Sequence, residues 1–245
     1  MRDYQKETEN RVAFLKDVLL KTHAKGFVFG NSGGKDSALV GILCKMACDN
    51  TVGIIMPCES KQNYGSDKDD GLRVAEQYHI ENLVLDLTEA KQFYRRALAP
   101  LTTLPDQAAV NINPRLRMTA LYAYAQSNGL LVAGTGNRSE YYMGYFTKWG
   151  DGGYDVNPIR DLTATEVFEF LRYLKAPMSI IEKAPSAGLY EGQTDEKDMG
   201  VTYAAIDRYI QTGEANEADK AIIDRYHMVS GHKRTGALVY GETEE

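Results

Sequence analysis

Residues 30–37 read Gly-Asn-Ser-Gly-Gly-Lys-Asp-Ser and follow the apolar run 26–29 directly. Glycines, hydroxyls and a lysine are the residue types that handle phosphate, yet a Walker loop anchored on Gly34 and Lys35 needs a glycine at position 29 and a hydroxyl at 36. The chain has Phe29 and Asp36 there. A carboxylate repels a bare polyphosphate, so Asp36 beside a phosphate loop argues for a bridging cation such as Mg²⁺. Gly33 and Gly34 permit close backbone approach, Ser32 and Ser37 add hydroxyls, and a helix starting after them would turn its free N–H groups toward an anion. The bland alternative is a tight turn followed by a first-turn acid that the helix dipole favours. Placement between an apolar strand and an apolar helix weakens that alternative.

A second carboxylate, Glu140, closes the stretch GTGNRSE at 134–140. Alone it reads as a solvated helical acid. As a partner of Asp36 it would complete a two-carboxylate Mg²⁺ site, which requires the two loops to be neighbours.

The periodicity supplies elements that make them so if strand four lies beside strand one, as at a doubly wound switch point. Short apolar runs predict strands at 27–29, from 51, at 83–87 and at 130–137. Helical spacing predicts helices over 7–24, 36–48, 67–79, 88–97, 114–128, 163–175, 197–211 and 215–229. Strands alternating with helices imply a parallel sheet covered on both faces. The expected fold is α/β, a doubly wound, Rossmann-like sheet of about five strands flanked by helices, in one domain spanning 1–245. In such a sheet ligands bind beyond the carboxyl ends of the strands, where strand one delivers 30–37 and strand four delivers 134–140. Residues 144–161 and 185–196, rich in glycine, aromatics and turn formers, read as functional loops.

Composition narrows the function classes. A net charge of −6 over 245 residues argues against a dedicated nucleic-acid binder. No apolar run is long enough for a membrane span and the N-terminus is charged, which points to a cytoplasmic protein with no membrane partner. Cys44, Cys48 and Cys58 cannot all pair and lack a CxxC or histidine partner set, so they read as reduced packing residues rather than a zinc site.

SGGKDS resembles the SGGxDS loop of the ATP pyrophosphatases, which cleave ATP between the α and β phosphates. GTGNRSE at 134–140, GYFTKWGDGG at 144–153, DVNPIRDL at 155–162, PSAGLYEGQTDE at 185–196, MGVTYAAID at 199–207 and HKR at 232–234 are each similar to ammonia-dependent NAD synthetase, in that family's order. The resemblance implies an adenine nucleotide alpha hydrolase-like fold and a homodimer with its dinucleotide site near the subunit interface. It implies a ligase that adenylylates the nicotinate carboxylate of deamido-NAD, releases pyrophosphate, and lets ammonia displace AMP to give NAD.

Matched position by position, Gly30, Asn31, Ser32, Gly33, Gly34, Lys35, Asp36 and Ser37 would hold ATP, with Thr135 and Ser186 also contacting it. Asp36 and Glu140 would coordinate Mg²⁺. Arg115 would face deamido-NAD, Lys148 and Asp155 its nicotinate end, and His232 with Lys233 would close over it. Lys148 and Asp155 are the catalytic candidates, Asp155 as the base for ammonium. Without the resemblance Arg115 reads as a first-turn helix residue, Lys148 and Asp155 as loop charges, His232 and Lys233 as a basic tail, and Ser186 as a turn residue.

This chain departs from the family at two positions. Lys35 stands where a small apolar residue or glutamine is common, and Ala164 where a lysine usually reaches ATP. Lys35 or Arg160 would then supply the charge absent at Ala164. The synthetase pattern consumes the length, so no glutaminase domain and free ammonia are expected, with a separate glutaminase as the other source. Two rival readings are an amidating or thiolating pyrophosphatase acting on tRNA and a non-catalytic nucleotide-binding module.

Overall fold

Phe27, Val28 and Phe29 alternate across β1 (Phe27–Gly30) as a period of two demands. Phe27 and Phe29 enter one apolar cluster and Val28 the other, so both faces of the strand are buried. That double burial is why the run is continuously apolar, as in parallel sheets. The computed structural model describes residues 2–59, 64–183, 194–237 and 239–240.

β1 pairs in parallel with β2 (Thr51–Ile55) on one side and with β4 (Leu131–Ala133) on the other. β3 (Glu81–Val84) pairs with β2, giving the order β3-β2-β1-β4. The winding reverses between β1 and β4, so the crevice opens at their carboxyl ends, where 30–37 and 134–140 emerge.

The described sheet has four strands, not about five. A fifth is reduced to one parallel bridge, Ala133 to Val156. Asp155 sends its carboxylate Oδ2 to the Val132 N–H at 2.8 Å, taking a donor that a ladder would use, and Pro158 has no N–H to offer. β3 also begins two residues before the expected 83–87. Leu85 and Leu87 still donate to Ile55 and Pro57 carbonyls at 2.9 Å, but Pro57 cannot donate in return.

One face carries α1 (Tyr4–Thr22), α2 (Lys35–Ala47) and, further along the chain, α8 (Ala164–Leu174) and α9 (Met178–Ile181). Leu15, Leu39, Ile42, Phe170 and Ile180 pack there with Phe27 and Phe29. The other face is covered by α6 (Ile112–Asn128), through Leu121 and Ala125 against Val28, Ile54 and Val132. Burying one such side chain fully contributes about 1.5–3 kcal/mol. α3 (Ser66–Gln77), α4 (Thr88–Leu98) and the short α5 (Asp106–Val110) complete the first half.

A third cluster lies beyond the end of β4. It joins α7 (Arg138–Met143), α10 (Asp195–Met199), α11 (Tyr203–Thr212) and α12 (Glu217–Val229) through Met143, Met199, Tyr203, Ile206 and Ile223. The single helix expected over 197–211 is split by Gly200, whose φ of +76° ends α10 in the left-handed region. Asp207, buried in this cluster, accepts from Thr165 N at 2.8 Å and from the Ser139 hydroxyl, tying α7, α8 and α11 together. α13 (Gly231–Arg234) is the last helix among the described residues.

Arg11 anchors the segment after β4. Its guanidinium grips Asp161 through both carboxylate oxygens, at 2.6 and 2.8 Å, and donates to the Pro158 carbonyl. Among the described residues no helix is long and apolar enough to cross a membrane.

Candidate active site

The phosphate loop is shaped by backbone contacts. Gly30 ends β1, and Asn31 N donates to Ile54 O at 2.9 Å while its side-chain amide donates to Gly71 O at 3.0 Å. Gly33 has φ +70°, and a Cβ there would lie 2.0 Å from the Asp67 carbonyl oxygen. Only glycine meets both demands. Gly34 is the N-cap of α2 and provides no side-chain cap, so the first-turn N–H groups face the crevice with the positive end of the helix dipole. The Ser32 and Ser37 hydroxyl oxygens stand 3.1 Å apart at this end.

Asp36 and Glu140 meet through Asn137. The Asn137 amide donates to Asp36 Oδ1 at 3.0 Å, its Oδ1 accepts from Glu140 N at 3.0 Å, and its own N–H donates to Glu140 Oε2 at 3.1 Å. The last two bonds form a capping box at the start of α7. Burial, and then the Asp36 carboxylate, push the Glu140 carboxyl well above its ordinary value, while Lys35 pulls it down. Two adjacent carboxylates strained in this way fit a divalent cation, and the pair would hold Mg²⁺ together with phosphate oxygens. Among the described residues no group of three or more His, Cys, Asp or Glu side chains is placed to hold a metal unaided.

Lys35 is buried against this pair. Its Nζ lies 2.5 Å from Asp36 Oδ2, and 5.3 and 5.7 Å from the ring centroids of Tyr203 and Phe168. Burial pulls the ammonium down, but Asp36, Glu140 and Asp195 outweigh it and leave Lys35 above its ordinary value. Tyr203 donates its hydroxyl to Asp195 Oδ2 at 3.0 Å. On the other flank Lys183 spans Asp67, Asp70 and the Gly33 carbonyl at 2.7, 2.9 and 3.3 Å.

The 144–153 loop and the C-terminal segment hold each other. Lys233 Nζ donates to the carbonyls of Gly144 and Phe146, both at 2.8 Å. Lys148 Nζ donates in the opposite direction, to the carbonyls of His232 and Gly236. Gly144 has φ +63°, and a Cβ there would lie 2.1 Å from Ser230 Cβ.

These parts enclose a cavity of about 1200 Å³ at the switch point, lined by the phosphate loop, Thr135, Glu140, Asp195, Lys183 and Lys233. Residues 7–237 match the family model for NAD synthase. The chain belongs to the NAD synthase family. An NH(3)-dependent NAD(+) synthetase from Carboxydothermus hydrogenoformans is 46% identical over 235 residues, covering 95% of this chain and 96% of the relative. One from Mesoplasma florum is 43% identical and covers 93% of each. Among solved structures, NMN synthetase from Francisella tularensis aligns with a TM-score of 0.93 at 37% identity, over 99% of this chain and 100% of that one.

Within this NAD synthase framework, Gly30, Asn31, Ser32, Gly34, Lys35, Asp36, Ser37, Thr135, Glu140 and Lys233 all line the cavity, and Gly33 shapes the loop from behind. Arg115, Lys148, Asp155 and His232 are not on its wall. Arg115 is exposed and donates to Lys148 O at 3.4 Å. Asp155 accepts from Val132 N and, at 3.0 Å, from the Tyr122 hydroxyl. Ser186 lies outside the described residues. Ala164 is buried, its N–H donating to Ser139 Oγ, and the Lys35 ammonium sits beside Phe168, one turn further along α8. Arg160 instead lies over the Tyr141 ring and donates to the Asn137 carbonyl.

Sequence reasoning did not single out Asn137, which bridges the two carboxylates, nor the cavity residues Arg117, Lys183 and Asp195. Asn137 had a readable signal, since Asn-x-x-Glu is the spacing of a capping box. Arg117, whose Nε donates to Met56 O at 3.1 Å, lies two residues past Arg115 and carries no local mark to distinguish it.

Proposed function

We propose that this enzyme converts deamido-NAD to NAD with ATP and ammonia, through an adenylylated nicotinate carboxylate. The observation that carries the reading is the Asn137-bridged pair Asp36 and Glu140, set against a phosphate loop at the mouth of one cavity large enough for two ligands. The names of the relatives from Carboxydothermus hydrogenoformans and Mesoplasma florum support it.

A carboxylate is a poor acyl electrophile at neutral pH. Its oxygen attacks the α-phosphorus of ATP, the bond to the β-phosphate oxygen breaks, and pyrophosphate leaves. Ammonia then attacks the acyl carbon, the acyl C–O bond breaks, AMP departs and the nitrogen loses a proton. The α2 N-terminus, Ser32 and Ser37 hold the phosphates in place, as fixed donors that need not reorganise. When bound, Mg²⁺ neutralises charge on the departing pyrophosphate. Arg117, and Lys91 in its 2.8 Å pair with Glu59, place positive charge elsewhere on the cavity wall, which suits an anionic nucleotide substrate. The enzyme acts as a homodimer in this reading, and the exposed Phe93, Tyr94 and Leu101, beside cavity residues Lys91 and Arg95, offer an apolar face for it.

The test is an assay with ATP, Mg²⁺ and deamido-NAD, with ammonium and glutamine supplied separately. NAD, AMP and pyrophosphate are expected with ammonium alone. ADP and phosphate as products would overturn the mechanism. The TM-score of 0.93 to an NMN synthetase favours a second reading, in which the acid form of the mononucleotide is the substrate. Comparing kcat/KM for the two acids decides between them.

A further inference from the structure

Lys35 is a cation in a place where the chemistry calls for a divalent one. Its ammonium is boxed by Asp36 Oδ2 at 2.5 Å and by the rings of Tyr203 and Phe168. Tyr203 in turn is hydrogen-bonded to Asp195. A buried ammonium must be paired with a carboxylate to be tolerated, and this one is. The same pairing occupies Asp36: Oδ1 takes the Asn137 amide and Oδ2 takes Lys35. Glu140 Oε2 is likewise held by Asn137 N. A cation arriving alone meets a carboxylate pair already engaged and a fixed positive charge beside it.

We propose that Lys35 is a tethered counter-cation that competes with a divalent ion for Asp36, so that the chain loads metal together with nucleotide phosphate and not before it. The inference rests on the reading of Asp36 and Glu140 as the Mg²⁺ pair. Lys35 lines the cavity on a flexible four-carbon stem. Nucleotide phosphates give its ammonium a new partner and leave Asp36 Oδ2 to the metal. In the empty enzyme the ammonium keeps the neighbouring carboxylates from repelling one another, so the phosphate loop stays in its binding shape.

The experiment titrates Mn²⁺ into the full chain, followed by the paramagnetic resonance signal of free Mn²⁺, for wild type, Lys35→Gln and Lys35→Arg. Each is measured with and without an α,β-methylene ATP analogue. Without nucleotide, Lys35→Gln binds Mn²⁺ roughly tenfold or more tightly than wild type, because a full repulsive charge is gone. Lys35→Arg stays near wild type. With the analogue, wild type approaches the affinity of Lys35→Gln.

Equal affinity of wild type and Lys35→Gln without nucleotide overturns the proposal, as does an Arg variant that behaves like Gln. If Lys35→Gln is unstable alone and Mn²⁺ restores its Tm, the proposal stands; an instability that Mn²⁺ leaves unchanged overturns it. Absence of Mn²⁺ binding in wild type with the analogue, or binding that Asp36→Asn does not weaken, removes the metal-pair reading itself and this inference with it.

Discussion

The Asn137 side-chain amide donates to Asp36 Oδ1 at 3.0 Å, across 101 residues of sequence. One asparagine therefore caps α7, fixes Glu140 and aims Asp36, joining the loops after β1 and β4 into one site. Loss of an N-cap costs about 1 kcal/mol, or about 2–4 °C in Tm for a chain of this size. Asn137→Ala is expected to show that modest Tm loss and a much larger functional one, with the Mg²⁺ concentration for half-maximal pyrophosphate release rising roughly tenfold. An Asn137→Ala enzyme with an unchanged Mg²⁺ requirement would show that Asp36 and Glu140 are aimed by something else.

Lys148 and Lys233 each hold carbonyls of the segment that carries the other. Both ammonium groups are spent on backbone, and burial holds Lys233 below its ordinary value. Lys233→Met leaves the carbonyls of Gly144 and Phe146 without that donor, so amide exchange in 144–153 should quicken while exchange in α2 stays as it was. The KM for the nucleotide acid should rise by more than the KM for ATP. Equal exchange in 144–153 for variant and wild type would dissolve the clasp. Gly144→Ala tests the same joint by sterics, since a methyl group there meets Ser230 at a positive φ.

What the sequence made legible was local. Short apolar runs such as 27–29, the glycines of 30–37 and helical spacing placed β1, β2, β4, α2, α6, α8 and α12 within a few residues, because burial on both sheet faces leaves a plain apolar imprint. Alternating strands and helices imply a parallel sheet, whereas the placing of β4 beside β1, on which the switch point depends, is visible only in the folded order. What depended on long-range partners was not legible. The partial fifth strand fails through a side-chain bond from Asp155 to Val132, and the roles of Lys183 and Asp195 exist only once α3 and α11 are packed. Lys148, which the resemblance sets at the nicotinate end, bonds here to the C-terminal segment, a contact 84 residues away that no local pattern records.

The resemblance points to Asp155 as the base for ammonium, and its geometry leads to a different expectation. Both carboxylate oxygens are engaged, by Val132 N and by the Tyr122 hydroxyl, and burial, then the bond to Asp155, raise that hydroxyl to about 12. A strap of this kind acts through position. Asp155→Asn should lower Tm, and Tyr122→Phe should lower it by less, with the pH profile of kcat unmoved in both. Loss of the ascending limb of that profile in Asp155→Asn would restore the residue to proton transfer.

The Arg11–Asp161 pair sets how the segment after β4 responds to acid. Burial would raise the Asp161 carboxyl, but the two-pronged bond to Arg11 and the charge of Arg2 prevail and hold it below its ordinary value. A carboxyl whose folded pKa is depressed adds stability above its unfolded value, about 3.9, and that stability is lost as pH falls through the folded pKa. Asp161→Asn should therefore have a lower Tm than wild type at neutral pH. The gap should narrow as pH falls below about 4 and close once wild-type Asp161 is protonated as well. Because Arg11 also donates to Pro158 O, the segment 155–161 should loosen in step, seen as faster amide exchange at Val156 and Asn157. A Tm gap that does not narrow as pH falls from neutral into the acid range would mean that the carboxylate's charge contributes nothing there and that Arg11 is held by packing and Pro158 alone.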